Sequence, residues 1–183
     1  MILLINICKE KLHYFEFVKP IEDILKKENL RYFIKSYKDI DKKDLEKSDK
    51  IIICGTSLQD NDYLKNICSF NWIKTYNKPV LGICGGMQII GLIFEGKLKK
   101  KTEIGFYKEN FTKEFLSLIG EQEVYHLHNN YAVFPKDFES FIQSKIPQAV
   151  KHKKKEIYGV LFHPEVRQKD LIKKFCVIPL KNI

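Results

Sequence analysis

The sequence predicts a three-layer α/β fold: a central, mostly parallel β-sheet with helices on both faces, and extra antiparallel strands late in the chain. Two observations carry this prediction. In the first half, short apolar segments of strand type alternate with amphipathic segments of helical spacing, which is the pattern of a covered parallel sheet. In the second half, strand-like segments follow one another directly, which favours antiparallel pairing.

Four strand candidates and three helix candidates make up the first half. The expected strands are Met1–Ile7, Leu30–Ile34, Lys50–Cys54 and Pro79–Cys84. The expected helices are Phe15–Glu28, with apolar residues at helical spacing, Asp62–Tyr76, and the stretch GGMQIIGLIF at residues 85–94.

The second half contains six short strand candidates and a last helix. The strands are Leu98–Lys101, Ile104–Tyr107, Glu123–Leu127, Phe138–Gln143, Ala149–His152 and Ile157–Phe162. The last two are expected to form a hairpin through the charged turn Lys153–Glu156, and Lys169–Cys176 is the expected final helix. Without a repeat or a Pro/Gly/Ser-rich linker, the 183 residues are expected to form one domain, residues 1–183.

Composition excludes several classes of protein. With 44% hydrophobic and 30% charged residues, the chain is neither disordered nor collagen-like. The net charge of +9 comes mainly from lysine, since Arg31 and Arg167 are the only arginines, and this argues against nucleic-acid recognition. No apolar run approaches the roughly 20 residues of a membrane span, and the N-terminus does not have the pattern of a signal peptide. A cytoplasmic location is therefore expected.

The five cysteines stand at positions 8, 54, 68, 84 and 176. Their odd number and the absence of a Cys-x-x-Cys pair argue against a disulfide framework or a zinc knuckle and fit a reducing compartment. Four of them lie in apolar contexts and are interpreted as core residues, which leaves Cys84 as a candidate nucleophile.

Cys84 stands in the sequence Gly82-Ile83-Cys84-Gly85-Gly86, between a short apolar strand and a helical stretch. This is the spacing of a nucleophile elbow, with cysteine in place of serine. Such a sharp turn leaves no room for side chains two residues before and two after the nucleophile, hence glycine at 82 and 86. The amide of Gly85 opens the helix and can donate to an oxyanion. The alternative is a buried cysteine in a glycine-rich turn.

The motif Phe162-His163-Pro164-Glu165 supplies a base and its orienting group. His163 follows a predicted strand, and site residues of open α/β sheets gather at strand ends. Glu165 can hold one imidazole nitrogen so that the other faces a sulfur atom. Taken alone, His163 is more typical of a structural histidine. Together with the elbow at Cys84, the role of a catalytic base becomes the favoured interpretation.

GICGGMQ, followed about eighty residues later by GVLFHPEV, resembles the triad-type (class I) glutamine amidotransferase family over nearly the whole chain. The resemblance implies a flavodoxin-like fold and release of ammonia from the side-chain amide of glutamine, without a metal or other cofactor. It implies that Cys84 is the nucleophile, His163 the base and acid, and Glu165 the orienter. Gln88 then matches the glutamine that helps to hold the substrate, and Gly85 an oxyanion amide.

Two positions depart from the family pattern. Members usually carry a Gly-Gly-Pro type loop after the third strand, whereas this chain has Gly55 and Thr56 there. The Thr56 amide can complete the oxyanion hole only if the backbone bends there without a positive φ. Alternatively, the oxyanion hole forms only when a partner protein is bound. Met87 stands where many members have histidine, and the Gly-Met-Gln version is similar to the glutaminase of imidazole glycerol phosphate synthase.

The segment Tyr125–Phe138 stands where the family carries a histidine-containing loop near the glutamine pocket. His126, His128 and Asn129 are therefore candidates for lining that pocket; a purely structural polar loop is the alternative. His-x-His also suggests metal, with Glu123 as an oxygen ligand, but no cysteine or further histidine completes a recognisable set. No metal is therefore expected.

The family resemblance implies a partner, since such glutaminases pass ammonia to a synthase, and 183 residues leave no room for one. The stretch VKHKKKEIYGVLFHPEV is similar to free-standing glutaminase subunits of GMP synthase, which makes the ATP-dependent GMP synthase subunit the favoured acceptor. Three alternatives stay open: another acceptor, a γ-glutamyl peptidase or hydrolase with the same triad, and a non-catalytic homologue that regulates a synthase. Neither nucleic acid nor membrane is expected as a partner.

Overall fold

A computed structural model of the chain describes residues 1–180, so the last three residues of the predicted domain lie outside the described residues. The strands in chain order are β1 (Ile2–Asn6), β2 (Tyr32–Ser36), β3 (Lys50–Ile53), β4 (Val80–Ile83), β5 (Lys97–Phe115), β6 (Leu118–Val133), β7 (Phe138–Ser140), β8 (Ala149–His152) and β9 (Ile157–Val160). The α-helices are α1 (Lys11–Phe17), α2 (Lys19–Lys27), α3 (Lys42–Lys47), α4 (Asp62–Lys65), α5 (Gly85–Ile93) and α6 (Lys169–Val177), and a 3-10 helix covers Ile67–Lys74.

Within the described residues, the main sheet has seven strands in the order β2-β1-β3-β4-β9-β8-β7. The first five are parallel to their neighbours, and β8 and β7 add an antiparallel edge. The predicted hairpin of β8 and β9 is confirmed. The predicted fold class is confirmed as well: a mostly parallel sheet with helices, and late antiparallel strands.

Helices cover both faces of this sheet because side chains along its strands alternate between two cores. Leu4 and Ile52 belong to one core, which includes residues of α2 and α6. Leu3 and Ile51 belong to the other, which includes residues of α5 and the 3-10 helix. Across residues 1–180, no helix has the length and apolar content needed to cross a membrane.

Two helix predictions need correction, and one helix was missed. The expected helix Phe15–Glu28 is two helices, α1 and α2, which meet at Val18, with Pro20 in the first turn of α2, where its missing N–H costs nothing. The expected helix Asp62–Tyr76 is the single-turn α4 followed by the 3-10 helix. Helix α3 was not expected; a capping box between Asp41 and Asp44 starts it.

A long two-stranded ribbon of β5 and β6 replaces the short strands predicted in this region. The two strands meet at Leu116 and Ser117, both at positive φ (48° and 73°), a hairpin turn without the glycine that usually announces one. The prediction of a loop at Tyr125–Phe138 is wrong for its first part, because β6 continues to Val133. The ribbon buries Phe111, Phe115 and Val124 in the core.

The sheet order brings together three strand ends that are far apart in sequence. Strands β3, β4 and β9 are adjacent and parallel, so the residues that follow them emerge at one edge. Gly55, Cys84 and His163 each follow one of these strands. The candidate site therefore lies at the carboxyl edge of the parallel sheet, where open α/β sheets bind ligands.

Candidate active site

Cys84 sits on a strained turn between β4 and α5, with φ 48° and ψ −103°. A non-glycine residue seldom adopts a positive φ, and this combination lies outside the left-handed helical region. A Cβ atom at Gly82 would lie 2.5 Å from the backbone of Gly86, and one at Gly86 would lie 2.4 Å from the carbonyl oxygen of Ile53. The two flanking glycines are thus required by close backbone approach, as the elbow motif predicts.

His163 and Glu165 form a buried pair behind the elbow. The His163 Nδ1 and Glu165 Oε1 atoms are 2.7 Å apart, and the two residues are only 1% and 3% exposed. The backbone amide of His163 donates to the carbonyl of Tyr125 at 2.8 Å, which ties this segment to β6. Because the carboxylate occupies Nδ1, the other ring nitrogen, Nε2, is left for the substrate side.

The imidazole and the sulfur are neighbours. A Cβ atom added at Gly55 would lie 2.6 Å from His163 Cε1 and 3.5 Å from Cys84 Cβ. The imidazole ring and the Cys84 side chain therefore both lie next to Gly55. Burial acts to lower the pKa of His163, but Glu165 and Cys84 outweigh it and raise that pKa well above its usual value. The imidazolium form is therefore favoured beside the sulfur, which is the arrangement that stabilises a thiolate.

The sequence predicts two backbone amides as oxyanion donors. Gly85 opens α5, and Thr56 follows Gly55 in the loop after β3. Thr56 does not have a positive φ, so the condition set by the sequence is met. No described residue accepts a hydrogen bond from either amide. The Thr56 hydroxyl donates to buried Asp60 at 2.8 Å, which fixes the loop.

Gln88 is held in place by partners that the sequence did not reveal. Its Oε1 accepts from the Tyr63 hydroxyl at 2.7 Å, and its Nε2 donates to the carbonyl of Asn130 at 2.9 Å. Gln88 is 3% exposed and lines a pocket together with Cys84. Tyr63, Asn130 and Asp60 were missed because each meets the site through the tertiary fold, and no local motif marks them.

His128 and Asn129 lie on strand β6 and also line this pocket. His128 Nδ1 is 3.1 Å from the Lys101 carbonyl, and burial together with His126 lowers the pKa of His128 to about 4. Asn129 donates to the carbonyl of Leu58 at 3.4 Å, across the pocket. His126, also on β6, is fully buried and is not among the residues that line the pocket.

The pocket beside Cys84 is narrow. Its volume of about 20 Å³ is enough for roughly one water molecule. A wider surface cleft of about 310 Å³ shares Asp60 and Asn61 as a common wall.

The other cysteines have surroundings unlike those of Cys84. Burial raises the pKa of Cys8 to about 11 and of Cys176 to about 12, and also raises that of Cys54, so all three thiols stay protonated at neutral pH. Cys68 is exposed, which corrects its assignment to the core. All five cysteines are free thiols.

The close approach at Gly55 gives a testable prediction. We expect Gly55→Ala to displace the imidazole and to lower the kcat/KM of any reaction in which Cys84 is the nucleophile by about 100-fold, because small misplacements of reacting groups are costly. Gly91→Ala is the matched control, since its Cβ would lie 2.5 Å from Ala132 Cβ, far from the imidazole. Both variants should lose about 1–3 kcal/mol of stability. Equal activity of the two, measured beside their melting temperatures, would contradict this role of Gly55.

Curated relatives are similar to part of this chain. A glutamine-hydrolysing GMP synthase of Staphylococcus epidermidis is 36% identical over 108 residues, which are 53% of this chain and 21% of that protein. The corresponding protein of Spiroplasma kunkelii is 39% identical over 95 residues, 48% of this chain and 19% of its own. The chain spans about a fifth of the length of these relatives.

Solved structures match nearly the whole of this chain. The crystal structure of a candidate GMP synthase subunit from Thermoplasma acidophilum has a TM-score of 0.83 and 27% identity, covering 95% of this chain and 90% of that one. A glutamine amidotransferase from Thermotoga maritima has a TM-score of 0.72 at 18% identity, covering 96% and 81%, and shows likeness of fold. The family model described as glutamine amidotransferase class-I matches residues 13–176. The chain therefore belongs to the class I glutamine amidotransferase family.

Proposed function

We propose that this protein hydrolyses the side-chain amide of glutamine through a thioester on Cys84 and delivers the ammonia to a separate synthase. One observation carries the proposal: the pair of His163 and Glu165, 2.7 Å apart, packs against Cys84 on a strained elbow. Structural histidines and cysteines have no need of a turn that costs about 1–3 kcal/mol. Such backbone strain is typical of a residue that takes part in catalysis or ligand binding.

The first half of the reaction forms the thioester. The Cys84 thiolate attacks the carboxamide carbon of glutamine, and the carbonyl oxygen becomes an oxyanion facing the free amides of Gly85 and Thr56. Each such donor contributes about 3–4 kcal/mol to lowering the barrier. When the C–N bond breaks, His163 gives its proton to the departing nitrogen and ammonia leaves.

Water completes the cycle. His163, now neutral, takes a proton from a water molecule, and the resulting hydroxide attacks the thioester carbon. The C–S bond breaks, glutamate leaves, and the thiolate and imidazolium are restored. Glu165 orients the ring through Nδ1 in both half-reactions.

The pocket residues account for substrate binding. Gln88 is held beside the sulfur by Tyr63 and Asn130, and its second N–H donor remains for the substrate. The pocket volume of about 20 Å³ is smaller than a glutamine side chain. We expect the loop with Asp60 and Asn61 to open toward the neighbouring cleft when substrate enters, a step that a bound synthase can favour.

We propose GMP synthase as the ammonia acceptor. Support comes from the similarity to GMP synthases and from the match over 90% of the Thermoplasma protein. The experiment is to incubate the protein with glutamine, alone and with an ATP-dependent GMP synthase enzyme, and to measure glutamate and ammonia. We expect hydrolysis that rises several-fold with the synthase present. Release of glutamate from γ-glutamyl amines but not from glutamine would replace the proposal with a γ-glutamyl hydrolase.

A further inference from the structure

A cluster of two histidines and two glutamates lies on one face of the β5–β6 ribbon. His126 and His128 are two residues apart on β6, and Glu103 pairs in register with His128 on β5. Glu109 is on β5, an even number of residues from Glu103, so all four side chains are on the same face. His126 and His128 are 0% and 2% exposed, and Glu109 is 9% exposed.

The two imidazoles differ in how their ring nitrogens are partnered. His128 Nδ1 is 3.1 Å from the Lys101 carbonyl, which only accepts hydrogen bonds, so this nitrogen carries the proton. His126 Nε2 lies 3.3 Å from Glu109 Oε1 but is not hydrogen-bonded to it. Both nitrogens of His126 and the Nε2 atom of His128 are buried without a hydrogen-bond partner among the described residues. In the neutral His128 ring, Nε2 therefore presents a lone pair, and His126 Nδ1 presents one when the proton is on Nε2.

The same carboxylate oxygen lies near one nitrogen of each imidazole. Glu103 Oε2 is 3.1 Å from His128 Nε2 and 3.9 Å from His126 Nδ1. Neither Glu103 nor Glu109 forms an ion pair with a lysine or arginine within residues 1–180. Three electron-pair donors thus converge in a buried place without a lysine or arginine to offset the charge, an arrangement that costs free energy unless a positive charge lies between them.

We propose that Glu103, His126 and His128 bind a divalent transition-metal ion, with Zn²⁺ as the ion that best fits the ligands. Two imidazoles and one carboxylate form a common ligand set for zinc. The Lys101 carbonyl and Glu109 then serve as the outer groups that orient metal-bound histidines.

Gln148 offers a fourth ligand. It is 1% exposed, its Nε2 donates to Glu103 Oε2 at 2.8 Å, and its Oε1 has no hydrogen-bond partner within the part of the chain that the structure describes. A half-turn of the amide exchanges these two atoms and directs the oxygen to the ion. The atoms of the three main ligands already lie within 4.8 Å of one another. Around a tetrahedral zinc ion, the ligand atoms are about 3.3 Å from one another, so small side-chain shifts would bring these three atoms to that spacing.

The consequence for the active site is mechanical. The metal would clamp β5 to β6 at His128, the residue next to Leu127, whose carbonyl accepts the Cys84 thiol hydrogen bond at 3.6 Å. Two-stranded ribbons are only marginally stable alone, and a cross-strand metal would hold this one in place. The inference does not depend on the proposed function, because metal binding is measured without glutamine.

The test uses the full chain in a Cys84→Ala background, so that the active-site thiol cannot bind zinc. After dialysis against a chelator, isothermal titration with Zn²⁺ is expected to give about one ion per chain and a raised melting temperature. Glu103→Gln and His126→Gln should abolish this binding, and Glu109→Gln should weaken it about 10- to 100-fold, the usual effect of losing an outer group.

Two controls separate this site from general zinc binding. Glu123→Gln changes a carboxylate on β6 that pairs with Arg167 instead, and His152→Gln changes another buried histidine; both should bind zinc like the parent. No zinc binding by the parent, or equal binding by Glu103→Gln and His126→Gln, would overturn the proposal. If those two variants do not fold, X-ray absorption of the zinc-loaded parent decides: an imidazole and oxygen shell supports the site, and sulfur ligation overturns it.

Discussion

Replacement of Cys84 by alanine is expected to reduce glutamine hydrolysis by about 10⁴- to 10⁶-fold, the range found when a nucleophile or its partner is removed from a triad enzyme. The reason is that Cys84 supplies the one thiol among the described residues that line the pocket. The measurement is glutamate release in steady state, with the melting temperature recorded for each protein. The stability of the variant should stay within about 1 kcal/mol of the parent, because alanine keeps the turn and removes one sulfur atom.

Two further variants separate the chemistry from the fold. Cys68→Ala removes an exposed cysteine and should leave hydrolysis unchanged. Cys84→Gly should be as inactive as Cys84→Ala but more stable than it by about 1–2 kcal/mol, because glycine relieves the positive φ. A Cys84→Ala protein that retained a tenth of the parent rate would exclude Cys84 as the nucleophile.

Glu165→Gln is expected to lower kcat by about 10²- to 10⁴-fold. The amide is similar in size but removes the negative charge beside His163 Nδ1, so the imidazolium is no longer favoured and the ring tautomer is no longer fixed. Because Glu165 raises the pKa of His163, the variant should have a lower His163 pKa. The alkaline limb of the pH–rate profile, where the imidazolium loses its proton, should therefore move to lower pH.

Glu121→Gln is the matched control, since this exposed carboxylate pairs only with Lys108 among the described residues. It should change neither the rate nor the pH profile. A Glu165→Gln protein with a reduced rate but an unshifted alkaline limb would show that Glu165 supports the fold without setting the protonation of His163.

The three residues of the proposed triad could be singled out from the sequence because their signals are local. The elbow glycines and the sequence from Phe162 to Glu165 mark two strand ends, and the order of a parallel sheet places those ends side by side. Thr56 was recognised as a departure, but only the backbone conformation showed that it fits without a positive φ. The class of fold followed from the alternation of strand and helix.

The parts that could not be predicted depend on contacts between distant segments. Nothing near Tyr63 in the sequence indicates that its hydroxyl meets Gln88. The ribbon was missed because Leu116 and Ser117 form its turn without glycine. Glu123 was considered as a metal ligand from its nearness in sequence, whereas strand pairing places Glu103 beside the histidines and leaves Glu123 with Arg167.

The most direct test of the account is to identify which thiol an electrophilic glutamine analogue modifies. The protein is incubated with a glutamine diazoketone, digested and analysed by mass spectrometry, with and without excess glutamine. The account predicts one modification, on the peptide containing Cys84, and protection by glutamine. Modification of exposed Cys68 in preference to Cys84, or labelling of Cys84 that glutamine does not reduce, would contradict it.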